Sequence, residues 1–168
     1  MFEAVKQLKD IVIRRIDWLD ARELSQLLRE SEDEGFRLVK RLVSEFESGH
    51  NRFDQPGEVL YGAYEDNQLI GICGLNQDPY LQDRTTGRVR RLYVLPAYRR
   101  RRIGHKLVKV VTGYAQDYYV RLTLKTDNPL AAQFYEKLGF HSNDPTPHST
   151  HYIDLFHSED RIATQTPF

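Results

Sequence analysis

Between Asp83 and Asp117 there is no acidic residue, while Arg84, Arg88, Arg90, Arg91, Arg99, Arg100, Arg101, Arg102, Lys106 and Lys109 all fall there. Something in this segment favours an anion. Arg99-Arg100-Arg101-Arg102-Ile103-Gly104 stands between an apolar run stopped by Pro96 and a helical pattern. A helix N-terminus exposes unpaired backbone N–H groups and carries about half a positive charge, so a strand-loop-helix junction of this kind is a ready phosphate site. A solvated basic turn is the plainer alternative. Neither a Walker P-loop nor a complete G-x-G-x-x-G is present, which argues against nucleoside triphosphatase and Rossmann readings. No G-x-S-x-G appears, and nothing pairs a serine or Cys73 with a base at a recognisable spacing. Cys73, the only cysteine, sits in a strand-like apolar run and reads as a core thiol, with no intramolecular disulfide and no cysteine-cluster zinc site. His141, His148 and His151 are close in sequence but lack a supporting carboxylate or cysteine pattern, so no metal is expected.

The wider chain must fold to position that junction. It has 168 residues, 40% hydrophobic and 29% charged, enough to bury a core in one ordinary domain. Lys plus Arg and Asp plus Glu both total 24, so the net charge is zero and general attraction to nucleic acid is not implied. No stretch approaches the roughly 18 consecutive apolar residues of a membrane span, and MFEAVKQLKD lacks the apolar core of a signal peptide. A cytoplasmic protein with no membrane or nucleic-acid partner is the expectation.

Ile11 to Ile16 reads as a first strand. Asp20 and Glu23 have capping-box spacing ahead of Leu24, Leu27 and Leu28, and a second helix runs from Phe36 to about Gly49. Val59 to Tyr64 and Leu69 to Leu75 form a hairpin around Glu65-Asp66-Asn67. Asn76 to Thr86 reads as a polar loop and Val89 to Val94 as the next strand. A helix follows from Gly104, and a strand from Val120 to Leu124. Asn128-Pro129 starts another helix that Gly139 ends. Phe140 opens a short strand, and Tyr152 to Phe156 is the last.

Leu92-Tyr93-Val94-Leu95-Pro96 followed by Arg99-x-x-Arg102-x-Gly104 resembles the pyrophosphate-binding motif of the GNAT superfamily of N-acetyltransferases. Asn128-Pro129-Leu130-Ala131-Ala132-Gln133-Phe134-Tyr135-Glu136-Lys137-Leu138-Gly139-Phe140 resembles a second, more specific motif of that family. Arg102 replaces the first glycine of the family loop, and Arg100 stands where many members carry another. The likeness extends from about Ile11 to Phe156. One domain over residues 1–157 is expected, and the tail over 158–168, with little apolar content, reads as frayed. The likeness implies an α/β fold: a mixed, mostly antiparallel central sheet with a splayed parallel strand pair, flanked by about four helices.

The resemblance implies acetyl-CoA as co-substrate, no metal, and acetyl transfer to a primary amine of a small molecule or peptide; a non-catalytic acyl-CoA-binding module is the alternative. A homodimer is common in the family. Cofactor contacts carried over are Leu92 and Val94 on the splayed strand, Arg99, Arg100, Arg101, Arg102, Ile103, Gly104 and His105 at the pyrophosphate, and Asn128 and Tyr135 beside the splay. Tyr135 would protonate the departing thiolate, its helix bringing it to the same face as Asn128 two turns on. Many members place a glutamate base on the strand before the loop. Arg88, Arg90 and Arg91 stand there instead, so the base candidates become Asp78, Glu58 and His151. The acidic run Glu30, Glu32, Asp33 and Glu34 borders the acceptor site by analogy and could draw in a cationic amine, or be only a solvated helix junction.

Overall fold

A computed structural model describes residues 9–155. β1 (Ile11–Arg15) precedes two helices, α1 (Ala21–Asp33) and α2 (Leu38–Ser48). β2 (Val59–Glu65), β3 (Gln68–Gln77) and β4 (Thr86–Val94) follow, then α3 (Ile103–Ala115), β5 (Arg121–Leu124), α4 (Pro129–Lys137), β6 (His141–Ser142) and β7 (His151–Asp154). The strands form one sheet in the order β1-β2-β3-β4-β5-β7-β6. All neighbours are antiparallel except β4 and β5. The expected mixed, mostly antiparallel sheet with one parallel pair and four α-helices is therefore the observed fold among the described residues.

Local chemistry sets the boundaries. The Asp20 side chain accepts from the Arg22 N–H at 2.8 Å and starts α1, while Asp66 and Asn67 both take positive φ, as a two-residue hairpin turn requires. Leu27, Leu42, Ile70, Ile72, Leu107 and Leu122 are fully buried between sheet and helices. Each such side chain contributes roughly 1.5–3 kcal/mol by leaving water.

β4 starts earlier than the sequence suggests. Thr86, expected to end a loop, pairs in parallel with Arg121, Gly87 and Arg88 pair with Leu122 and Thr123, and all three β4 residues are buried. Their polarity hides the strand, because its demands are met by side-chain partners instead of apolar packing. The Thr86 hydroxyl donates to Asp83 at 3.0 Å, and the Arg88 guanidinium donates to the His148 carbonyl at 2.6 Å. The last strand is His151–Asp154, shorter than the expected Tyr152 to Phe156. The expected tail lies outside the described residues.

Two irregularities in β4 position everything that follows. Ile72 pairs with Tyr93 and Gly74 with Arg90, so one residue lies between the pairs on β3 and two on β4. The extra residue is a β-bulge, and Arg91 within it has φ 61°. An added residue reverses the alternation of faces, so Arg90 and Tyr93, an odd number apart, both turn toward the α1–α2 layer. Parallel pairing with β5 also stops at Arg88, leaving β4 from Val89 onward without a partner on that side.

Candidate active site

The chain leaves β4 through a short 3-10 turn, Pro96–Tyr98, and enters α3 through the four arginines. Arg100 (φ 63°) and Arg102 (φ 60°) are both left-handed. That conformation costs an L-residue with a Cβ roughly 1–2 kcal/mol, so the surrounding structure must hold it. Left-handed residues interleaved with others turn successive N–H groups toward one side, forming an anion nest. The N–H groups from Arg100 to His105 make no hydrogen bond to the backbone among the described residues. The loop thus takes glycine-like geometry without glycine.

The four side chains divide into two pairs. Arg99 grips Glu34 with both guanidinium nitrogens, at 2.6 and 2.8 Å, and donates from Nε to the Val94 carbonyl at 3.0 Å. Tyr93 adds a hydroxyl bond to the same carboxylate at 2.7 Å. Hydrogen bonding from Arg99 holds the Glu34 carboxyl below the usual glutamate range, and Glu34 in turn raises Arg99. Arg101 donates to Glu65 at 2.7 Å. Arg100 and Arg102 are exposed and have no ion pair among the described residues. Of the four guanidiniums expected at the pyrophosphate, Arg99 and Arg101 are turned onto carboxylates of the fold, and Arg100 and Arg102 face outward.

Ile103 is buried, and His105 lies half-buried in the first turn of α3. A Cβ on Gly104 would come within 3.3 Å of the Phe134 ring, so glycine permits α3 to approach α4. Leu92 and Val94 line the unpartnered stretch of β4 and are half-buried.

Asn128 caps α4, its side-chain oxygen accepting from the Leu130 N–H at 2.9 Å. It is exposed, whereas Tyr135 is 8% exposed, so the two do not share one helical face as the seven-residue spacing suggests. The reason is that an N-cap lies outside the helix: Asn128 has extended backbone angles and bends back onto the first turn. Tyr135 packs edge-on against Phe134 and Phe140 at 5.1 and 5.6 Å. Gly139, at φ 98°, closes the helix by a Schellman motif in which Phe140 N–H donates to the Tyr135 carbonyl at 3.1 Å. Burial raises the Tyr135 phenol far above its ordinary value and keeps its proton in place. Burial likewise pushes the Cys73 thiol up to about 12, in keeping with a core thiol.

The three base candidates differ in access. Asp78 has no exposed surface; it accepts from the Thr123 hydroxyl at 2.6 Å and the Tyr80 N–H at 2.9 Å, with Arg88 at 3.5 Å. That setting makes Asp78 an anchor for Arg88 more than a base with a face open to substrate. His151 is buried, with one ring nitrogen 2.8 Å from the Thr150 hydroxyl and the other 3.3 Å from Glu136. Glu58 is half-buried and lines a cleft of about 340 Å³.

A larger cleft of about 600 Å³ lies between α2, β4 and the turn at Pro79-Tyr80, and shares His50, Pro79 and Arg90 with the smaller one. Its lining includes Arg37, Lys40, Arg41, Arg90 and Arg91, with Glu45 the single carboxylate. Arg91 donates to both oxygens of Glu45, at 3.0 and 2.8 Å, tying the bulge to α2. Sequence reasoning missed this cleft, because α2 and β4 are far apart in the chain and only the fold brings their arginines together. Of the acidic run, Glu34 is held by Arg99 and Glu32 pairs with Lys40 at 3.4 Å. None of the four acidic residues lines either cleft.

The Klebsiella aerogenes aminoglycoside N(6′)-acetyltransferase type 1 is 31% identical over 106 residues, covering 56% of this chain and 68% of that protein. A solved acetyltransferase-type structure from Exiguobacterium sp. 255-15 superposes with a TM-score of 0.78 at 30% identity, over 94% of this chain and 99% of that one. The fold is shared with the PaiA N-acetyltransferase of Thermoplasma acidophilum, solved with coenzyme A, at a TM-score of 0.63 and 21% identity over 88% and 99% of the two chains. The model of the acetyltransferase (GNAT) family matches residues 13–140, and the chain belongs to that family.

Proposed function

We propose that the protein transfers the acetyl group of acetyl-CoA to a primary amine by direct attack. The observation that carries this reading is the junction of the unpartnered half of β4 with the nest of free N–H groups from Arg100 to His105. When bound, acetyl-CoA supplies an activated acyl carbonyl; the amine nitrogen bonds to that carbon as the carbon–sulfur bond breaks. The nest and the exposed guanidiniums of Arg100 and Arg102 bind the pyrophosphate. Free backbone groups of Leu92 and Val94 hold the pantetheine arm, and an N–H of this stretch polarises the carbonyl. Asn128 keeps its amide nitrogen available beside the splay while its oxygen caps α4.

An aliphatic amine has a pKa near that of lysine, about 10, so a proton must leave it before attack. Glu58 takes that proton through water, being the base candidate with an open carboxylate. Asp78 acts by holding Arg88 and, through Thr123, the end of the paired segment. Tyr135 returns a proton to the departing sulfur, its buried phenol staying protonated until then.

The second reading, an acyl-CoA-binding module without catalysis, is favoured by Arg88, Arg90 and Arg91 on the strand before the loop and by the complete burial of Asp78. Calorimetry with acetyl-CoA and thiol release across a panel of primary amines separate the two. Binding and amine-dependent thiol release together support transfer; binding with no release for any amine supports the module; no binding at low salt removes both.

A further inference from the structure

We propose that the 600 Å³ cleft between α2 and β4 receives an acceptor amine that itself carries a carboxylate or phosphate group, seated on Arg90 and Arg41. The assignment rests on the acetyl-transfer reading above. Five cationic side chains line this cleft with one carboxylate, Glu45, which is bound to Arg91; Lys40 pairs with Glu32, which leaves Arg37, Arg41 and Arg90 without an ion pair among the described residues. The Arg91 side chain is only 9% exposed, and its Nε has no hydrogen-bond partner among the described residues. Arg90 is half-buried with no ion pair among the described residues, between Arg88 and Arg91 on the same strand. Burial, followed by the charge of Arg91, weakens its hold on its proton.

Solvated basic faces are common, but this one is not simply solvated. Arg90 is an unpaired guanidinium partly removed from water beside the buried Arg91, an arrangement that is unfavourable without a counter-charge, and a ligand can supply it. A guanidinium's flat fork matches a carboxylate or phosphate with two parallel hydrogen bonds. The volume lies within the range of small-molecule sites. Arg91 belongs to the bulge, so an anion on Arg90 sits next to the stretch of β4 where the acyl carbonyl would be polarised. A polycationic acceptor meets the opposite field. Of the acidic run that could have drawn it in, Glu34 is held by Arg99, Glu32 is held by Lys40 of the cleft's own lining, and none of the four lines the cleft.

Matched probes test the assignment on the full chain: glutamate against glutamine, O-phosphoethanolamine against ethanolamine, and spermidine as the polycation. Calorimetry is expected to give the anionic member of each pair about tenfold tighter binding, as one charge-assisted contact would confer. Arg90→Gln should erase that preference and leave the neutral probes unchanged. Arg41→Gln, on the exposed face of α2, should weaken anion binding in the same direction without a risk to folding. Equal binding within each pair, including no binding of either anion, overturns the proposal, as does preference for spermidine. Anion preference without thiol release from acetyl-CoA would remove the acetyl-transfer reading and leave the cleft assignment standing. Thiol release greatest with spermidine would do the reverse.

Discussion

Arg99 and Glu34 join the loop at the start of α3 to the end of α1 through two parallel guanidinium–carboxylate bonds of 2.6 and 2.8 Å. Tyr93 completes the contact from β4. The arginine that a motif comparison would assign to a phosphate is thereby a clasp between the two layers covering the sheet. Its Nε bond to the Val94 carbonyl fixes the turn in which Arg100 and Arg102 hold their left-handed angles.

Glu34→Gln should loosen that loop. With both partners partly exposed, the cost in stability is about 1 kcal/mol, or roughly 2–4 °C in Tm. The larger effect should be on acetyl-CoA affinity, read by calorimetry. The pH dependence has a definite sign: because the folded carboxyl is depressed, the clasp's contribution is complete above the unfolded glutamate value of about 4.3. It disappears as pH falls through the lower folded value, and Glu34→Gln should remove that portion of the acid transition.

Arg102→Gly should relieve left-handed strain and raise stability by up to about 1 kcal/mol, less what is lost to the freer unfolded chain. If the backbone N–H groups dominate phosphate binding, acetyl-CoA affinity should stay within a few-fold. A large loss would assign the contact to the guanidinium. Arg101→Ala should lower Tm through its Glu65 ion pair, with little change in affinity.

Glu45→Leu should be the most destabilising of these changes. It strands the Arg91 guanidinium, already mostly buried with Nε unpartnered, and breaking such a pair costs roughly 3–5 kcal/mol. Urea unfolding is the measurement. A loss below about 1 kcal/mol would place Arg91 in water, contrary to the bulge geometry.

Tyr135→Phe should keep stability close to that of the parent, since its hydroxyl has no hydrogen-bond partner among the described residues and its ring contacts with Phe134 and Phe140 remain. Steady-state kinetics should show kcat reduced by at most the roughly 100- to 10,000-fold typical of acid–base groups, with acetyl-CoA affinity unchanged. An unchanged kcat makes Tyr135 a packing residue alone.

Local signals carried much of this fold: Asn128-Pro129 and Gly139 bracket α4, and Asp66-Asn67 mark the hairpin. Features that depend on partners remote in sequence were invisible. Thr86 looked like loop because Asp83 meets its polarity in place of apolar packing, and the burial of Arg88 rests on Asp78 and His148 in other segments. The bulge at Arg91 has no residue signature, since an arginine at positive φ is set by its contacts, here Glu45. Even a motif read correctly misled where helix periodicity was extended through a cap, as with Asn128 and Tyr135. The pairing of Glu34 with Arg99 required knowing that α1 ends over the loop.

β4 is an interior strand along Thr86 to Arg88 and an edge strand beyond. Exposed edges are templates for further strands and a standing hazard for aggregation, which proteins blunt with charge or cover. This edge lies inside a sheet, beginning where pairing with β5 stops at Arg88. An extended ligand added there would form a short pseudo-strand on β4. A ligand bound there would repair an incomplete sheet, so its binding should be felt as cooperativity between the two halves of the molecule and not only at the atoms it touches.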